Sequence, residues 1–307
     1  MQTRFRLGLA ALALAIGAAP LSSQHNIGTL ILAHGADSNW NQQVLDVAQG
    51  VKTGGPVGVS FLMGPAAARR RFQDEVARLR RDGATTIVVV PLFISSHSGH
   101  IDQLHFLVKR RSSLDEEMRH HLEMSGIEQL TDTAGVIVTA AIDDSPEAAR
   151  IIAERVRALA TDAPRQSVLL FGHGPNGAGD YALWMRDLRI IADSVRRSTG
   201  VHDVQVELVR DDAQPEVRAE AVRRARDLVR LQHEGTNKPV IVIPVLIATG
   251  TLSRSILARD LAGLPIAYAG DAILPDPTLA RWVERRVREA VPLPGVAPIR
   301  KELNSTP

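Results

Sequence analysis

Four histidines stand directly after apolar runs of strand length. His34 follows IGTLILA, His97 and His100 lie in SSHSGH after TTIVVVPLF, and His173 ends SVLLFGH. Neutral imidazole is a good ligand for Co²⁺, Fe²⁺, Ni²⁺ or Zn²⁺, and it takes up a proton near neutral pH. A lone histidine at such a place is usually a hydrogen-bonded polar residue. Three near the tips of two neighbouring parallel strands make a candidate metal site, because such tips converge on one edge of a sheet. The chain has no Cys. Disulfides, iron–sulfur clusters, thiolate zinc sites and cysteine nucleophiles are therefore excluded, and a metal must rest on His, Asp, Glu or backbone oxygen. A site with two histidines leaves coordination positions open, as a closed structural site does not. His120 and His121 sit in the charged stretch DEEMRHHLEM and are read as solvated helix residues.

Other chemistries find little support. GHGPNG (172–177) matches G-x-G-x-x-G only formally, since Pro175 interrupts it and no acidic residue follows at the dinucleotide-binding distance. No P-loop, G-x-S-x-G elbow or H-E-x-x-H is present. Thirty-six basic and 34 acidic residues leave a net charge of +2, against the dense basic face of a nucleic-acid-binding protein. Only four of the basic residues are Lys. Arg recognises carboxylates through a planar fork, although solvated helix faces account for most of these residues.

The elements that must position the histidines alternate β and α, twice. Strands are expected at 27–33, 57–62, 85–93 and 136–141, with helices at 39–52, 66–82 and 146–160. After a linker at 162–166 the order repeats. SVLLFGHG answers LILAHG, VQVELV (204–209) answers VGVSFL, and PVIVIPVLI (239–247) answers TIVVVPLFI, proline included. A helix over roughly 214–231 lies between the last two of these strands, and the helix beginning Ser145–Pro146 is answered by one beginning Asp276–Pro277. Continuous apolar β-branched runs suit parallel strands covered on both faces. The expected fold is α/β: two similar lobes, 27–160 and 167–290, each a central parallel sheet flanked by helices, facing across a cleft.

Residues 1–24 carry Arg4 and Arg6, an apolar run from Leu7 to Ala19, then Pro20, Ser22 and Ser23. This is the layout of a secretory signal peptide, and the run is shorter than the roughly 20 residues of a membrane span. The expectation is a periplasmic or secreted protein, with no stable membrane insertion once the signal is removed and with 291–307 as a tail.

A strand ending in His-Gly (LILAHGADSN), then VVVPLFISSHSGH, and the same order again in LLFGHGPNG and IVIPVLIATG, resembles the CbiX/SirB-type sirohydrochlorin chelatases, the class II tetrapyrrole chelatases, as two tandem modules. The resemblance implies a lyase that inserts Co²⁺ or Fe²⁺, its metal substrate, into a tetrapyrrole. The two family histidines, which hold the metal and help to remove pyrrole protons, fall on His34 and on the loop after Pro91. There His97 is favoured as the catalytic residue and His100 is a close second, so the implied metal set is His34, His97 and His100. His173, Arg210 and Arg254 are candidate substrate-binding residues, the two arginines as partners of the substrate carboxylates. The second module has no histidine in ATGTLSRS, and the family's acidic residue after the second strand is Met63 or Gly64 here. Its counterparts in the second module are Arg210, Asp211 and Asp212. The long segment 101–134 is expected to cover the cleft. The alternative implied by these departures is an exported, non-enzymatic metal or tetrapyrrole binding protein on the same fold.

Overall fold

The computed structural model describes residues 26–291; the expected signal segment and the tail beyond 291 lie outside them. The first lobe runs β1 (Ile27–Ala33), α1 (Ser38–Gly50), β2 (Val57–Phe61), α2 (Gly64–Arg69), α3 (Phe72–Arg81), β3 (Thr86–Leu92), α4 (Gly99–Leu107), α5 (Glu116–Met124), β4 (Val136–Val138) and α6 (Pro146–Leu159). The second runs β5 (Ser167–Gly172), α7 (Ala178–Thr199), β6 (Asp203–Leu208), α8 (Pro215–Thr236), β7 (Val240–Val245), α9 (Leu257–Asp260), β8 (Ile266–Ala267) and α10 (Thr278–Ala290). Each lobe has one parallel four-stranded sheet, ordered β2-β1-β3-β4 and β6-β5-β7-β8. The two-lobed α/β architecture is therefore as the repeated motifs imply. β1 and β3 are adjacent in register from Ile27↔Thr86 to Ala33↔Leu92, so the residues beyond both ends emerge side by side.

Several boundaries differ from the sequence reading. The single helix expected over 66–82 is two, α2 and α3, broken at Arg70–Arg71. Arg70 leaves helical backbone (φ −136°, ψ 58°) and its carbonyl accepts a hydrogen bond from Ser60 Oγ. The break lets Phe72, Val76 and Leu79 turn into the core. The fourth strand stops at Val138 instead of 141, because Ala141 N–H turns to Ser96 Oγ and Ser145 then caps α6. Helix α7, 22 residues long, was not read from the sequence, although Trp184, Leu188, Ile191 and Val195 form its buried stripe.

The terminal helices are exchanged between the lobes. α6 leaves the first lobe and packs on β7 and α7, whereas α10 leaves the second and packs on β3, α1 and α6. Both have a buried stripe on one side, which for α10 is Leu279, Trp282, Val283 and Val287. The exchange is fastened by Arg285, whose Nε and Nη2 donate to the two carboxylate oxygens of Glu147 at 2.7 Å each. A bidentate pair of this kind is stronger and more directional than a single ion contact. It holds the Glu147 carboxyl below its ordinary range.

A second joint is near-symmetric. The helix after the first strand of each lobe docks on the loop after the third strand of the other. Gln43 of α1 donates to Thr249 O (2.8 Å) and accepts from Thr249 N (3.1 Å), while Trp184 Nε1 of α7 donates to His97 O (2.6 Å). Gln43→Leu leaves the buried Thr249 N–H and C=O without these partners. Its expected cost is about 1–3 kcal/mol, to be read by chemical denaturation; an unchanged midpoint would show that the joint contributes nothing.

Candidate functional site

The site is built at the carboxyl ends of β1, β3 and β5. In the first lobe the N–H groups of Leu62 and Met63 donate to His34 O, at 3.1 and 2.7 Å. Gly35 then turns with φ +90°, and a Cβ there would stand 2.4 Å from Met63 O. The second lobe repeats this clamp. Arg210 N donates to His173 O at 2.6 Å, and Gly174 (φ +81°) passes so near Leu208 that a Cβ would stand 2.7 Å from it. Only glycine fits either turn, which explains why His-Gly is the repeated unit. The same registration places Met63 in the first lobe where Arg210 stands in the second.

His34 and His100 meet. Their ring centroids are 4.7 Å apart at an interplanar angle of 72°, and Phe93 stacks on His100 at 5.6 Å. The loop that carries His100 is tied down by Asp143, which accepts from Ser96 N (2.6 Å) and Ser96 Oγ (2.8 Å). His34 Nδ1 donates to Gly35 O at 2.7 Å; a carbonyl can only accept, so Nδ1 carries the proton and Nε2 keeps its lone pair. Burial pushes the His34 imidazole down to about 4, with His100 as the second cause. Burial likewise lowers His100. Both rings therefore stand neutral at pH 7, the state that binds a metal.

Facing them from the second lobe are His173 and Asp212. His173 Nδ1 donates to Gly174 O (2.8 Å), and Nε2 lies 3.2 Å from Asp212 Oδ2. Burial opposes the charged form of His173, but the bond to Asp212 and its charge outweigh that and raise it above the ordinary value. The bond from His173 lowers Asp212 in turn, and its negative charge reaches His34 and His100. The cleft thus sets two imidazoles of lowered basicity against one whose basicity Asp212 raises. Among the described residues no three or more His, Asp or Glu side chains converge into a closed ligand set.

The remaining candidates fall elsewhere. His97 lies at the lobe seam, with its carbonyl bound by Trp184 and its Nε2 3.9 Å from Asp187 Oδ2, so the geometry pairs His34 with His100 and not with His97. Arg210 turns inward. Its Nε donates to Pro175 O (3.0 Å), its Nη2 bonds Asn176 O, and its guanidinium lies 5.4 Å from the centre of the Tyr181 ring. It braces the His173 loop. Arg254 is exposed on the turn after β7, its stem against Gly270. Thr249, where the first module has its histidine loop, is taken up by the joint to Gln43.

One reading is corrected. His121 is not fully solvated: it is half-buried on α5, and its Nδ1 is enclosed without a hydrogen-bond partner. α5 rests on the start of α4, with Met118 against Gly99, which adjacency in sequence could not reveal. A buried group missed entirely is Glu207. It accepts from Tyr181 Oη (3.0 Å), Arg224 Nε (3.0 Å) and Leu208 N (2.9 Å), behind the Arg210 brace.

The depressed His34 value has a consequence for pH. With His34 as a metal ligand, a proton would compete with the metal there only as the pH nears about 4. Co²⁺ affinity should therefore hold through pH 6.5, where an ordinary imidazole is half protonated, and fall in more acid solution. Calorimetry across pH 5–8 checks this; a midpoint near 6.5 would contradict it. The unfolded chain takes up the proton first. The apo fold should therefore lose this part of its stability as the pH falls from about 6.5 toward about 4.

Comparison with known proteins agrees with this architecture. Residues 28–159 match the CbiX family model. Among solved structures, SirB from Bacillus subtilis with Fe3+ aligns at 19% identity over 86% of this chain and 95% of its own, with a TM-score of 0.60. The sirohydrochlorin chelatase SirB from Bacillus subtilis subspecies spizizenii in complex with cobalt aligns at 18% over 86% and 95%, with a TM-score of 0.55. DR2241 from Deinococcus radiodurans, a multi-domain protein with structural similarity to chelatases and two additional novel domains, aligns at 17% over 86% of this chain and 55% of its own, with a TM-score of 0.53. No curated protein matches the chain. At such identities the likeness of structure establishes the fold. Residues 28–159 form a module that matches the CbiX family, on a chain whose described residues share the two-lobed fold of these chelatase structures.

Proposed function

We propose that the protein is a chelatase that inserts a divalent transition metal, Co²⁺ or Fe²⁺, into a tetrapyrrole of the sirohydrochlorin type. The observation that carries this reading is the pair of neutral imidazoles, His34 and His100, packed edge to face at the carboxyl edge of the first sheet. The CbiX match over the same lobe and the iron- and cobalt-bearing SirB structures support it.

Metallation exchanges two pyrrole N–H protons for one divalent ion. The Nε2 atoms of His34 and His100 hold the metal, and the positions they leave open admit the pyrrole nitrogens. His34 is a weak base in this setting, which suits holding a metal better than receiving a proton. His173, hydrogen-bonded to Asp212, is the stronger base; in its neutral form it accepts the two pyrrole protons one after the other across the cleft, each being passed on to solvent before the next is taken up. The Arg210 brace keeps the His173 loop in place for that role. Exposed Arg254 remains available to the carboxylates at the rim of the substrate. We further propose that the segment 1–24 directs export, so that this chemistry takes place outside the cytoplasm.

Purified protein mixed with sirohydrochlorin and Co²⁺ or Fe²⁺ tests the reading through the absorbance change of the macrocycle. Turnover above the uncatalysed rate is expected. Tight metal binding without turnover would favour the exported carrier, and absence of both would overturn the assignment.

A further inference from the structure

His100 is held by a residue that has no part in the chemistry above. Gln103, one turn along α4 and with no exposed surface, places its Oε1 2.8 Å from His100 Nδ1, while its Nε2 donates to Met118 O of α5 at 2.7 Å. The Met118 carbonyl can only accept, so the amide end facing it must be the NH₂. The oxygen of Gln103 then faces His100, and since that oxygen also only accepts, His100 Nδ1 must carry the proton. A flipped amide would set two acceptors against each other at Met118. Phe93 stacked on the ring leaves the imidazole little room to turn. α5 is fixed at the same point: Asp115 caps it by accepting from Met118 N (2.8 Å), and the Met118 side chain is so close to Gly99 that a Cβ there would stand 3.0 Å from Sδ.

We infer that Gln103 is a positioning residue that locks His100 in its Nδ1–H form, aims Nε2 into the cleft and ties the metal pair to helix α5. Its effect on metal binding rests on the assignment of His34 and His100 as ligands; its effect on the tautomer does not. In metal-binding histidines the partner of the second ring nitrogen sets orientation and basicity, and its loss typically weakens metal binding about 10–100-fold.

The test uses the full chain with ¹⁵N-labelled histidine. Long-range ¹⁵N–¹H correlation reads the tautomer of His100, assigned by comparison with His100→Gln, and calorimetry reads Co²⁺ affinity. Wild type should show the Nδ1–H form. Gln103→Leu should lose that preference and bind Co²⁺ about 10–100-fold more weakly. Gln103→Glu, which keeps an acceptor facing Nδ1 but sets a second acceptor against Met118 O, should keep the tautomer while losing the tie to α5. An Nε2–H form in wild type, or an unchanged tautomer in Gln103→Leu, would overturn the inference. If wild type bound no Co²⁺, the ligand assignment would fail while the tautomer still decided the role of Gln103. If Gln103→Leu did not fold, wild type and Gln103→Glu would decide it.

Discussion

Replacing His34 and His100 together with alanine should remove Co²⁺ binding and metallation while leaving the fold in place. The two rings meet each other at 4.7 Å, and both have their Nδ1 engaged, by Gly35 O and by Gln103 Oε1. Removing either ligand deletes a donor atom outright, so each single variant should lose at least about 100-fold in affinity, more than the loss of an outer partner. The backbone clamp on His34 uses the main-chain oxygen, which alanine retains. His173→Ala should behave differently: metal affinity should change little, whereas turnover should slow by about 10²–10⁴-fold, the range of a lost acid–base group. Calorimetry and stopped-flow absorbance separate the two effects. Equal losses of affinity in all three single variants would show that the lobes do not divide these roles.

Trp282→Ala should cause the largest loss of stability. The indole has no exposed surface, and it lies on the helix that crosses from the second lobe to cover β3 of the first. Truncating a fully buried Trp costs about 3–5 kcal/mol, from lost burial and the cavity left behind. A melting temperature lower by roughly 10 °C is expected for a fold of this size. The distinctive signature is its place. Amide exchange should quicken in β3 and β1, far away in sequence, before it quickens in β6. Loss of protection confined to the second lobe would argue against the exchange of helices.

The parts legible in the sequence were those set by local pattern. Apolar β-branched runs marked the central strands, and the repeated His-Gly and proline-containing strands marked the duplication. The structure gives His-Gly its reason, since both glycines have positive φ and no space for a Cβ. What the pattern could not show was partnership. α6 and α10 each display a buried stripe, but a stripe does not say which sheet it covers. His97 and His100 follow the same strand, and only the turn into α4 decides that His100 swings to His34 while His97 reaches the seam at Trp184 and Asp187. Gln103 and His121 left no signal, because their roles arise from α5 lying on α4, a packing that neither helix encodes by itself.

The division of labour between lobes also bears on the asymmetry of the modules. At the site the first lobe presents His34 and His100 with Met63 in place of a carboxylate, while the second presents His173 with Asp212 beside it. On the proposed reading, the two lobes contribute different groups to one site. The loop that lacks a histidine in the second lobe serves instead as the joint to α1 through Thr249.

The most direct test of this account is diffraction from crystals of the protein soaked in Co²⁺, with data collected on both sides of the cobalt absorption edge. The anomalous map should show one principal peak within bonding distance of His34 Nε2 and His100 Nε2. It should be absent from crystals of the His34→Ala/His100→Ala variant. A principal peak at His97 and Asp187, or a cleft without cobalt beside a peak elsewhere, would contradict the account.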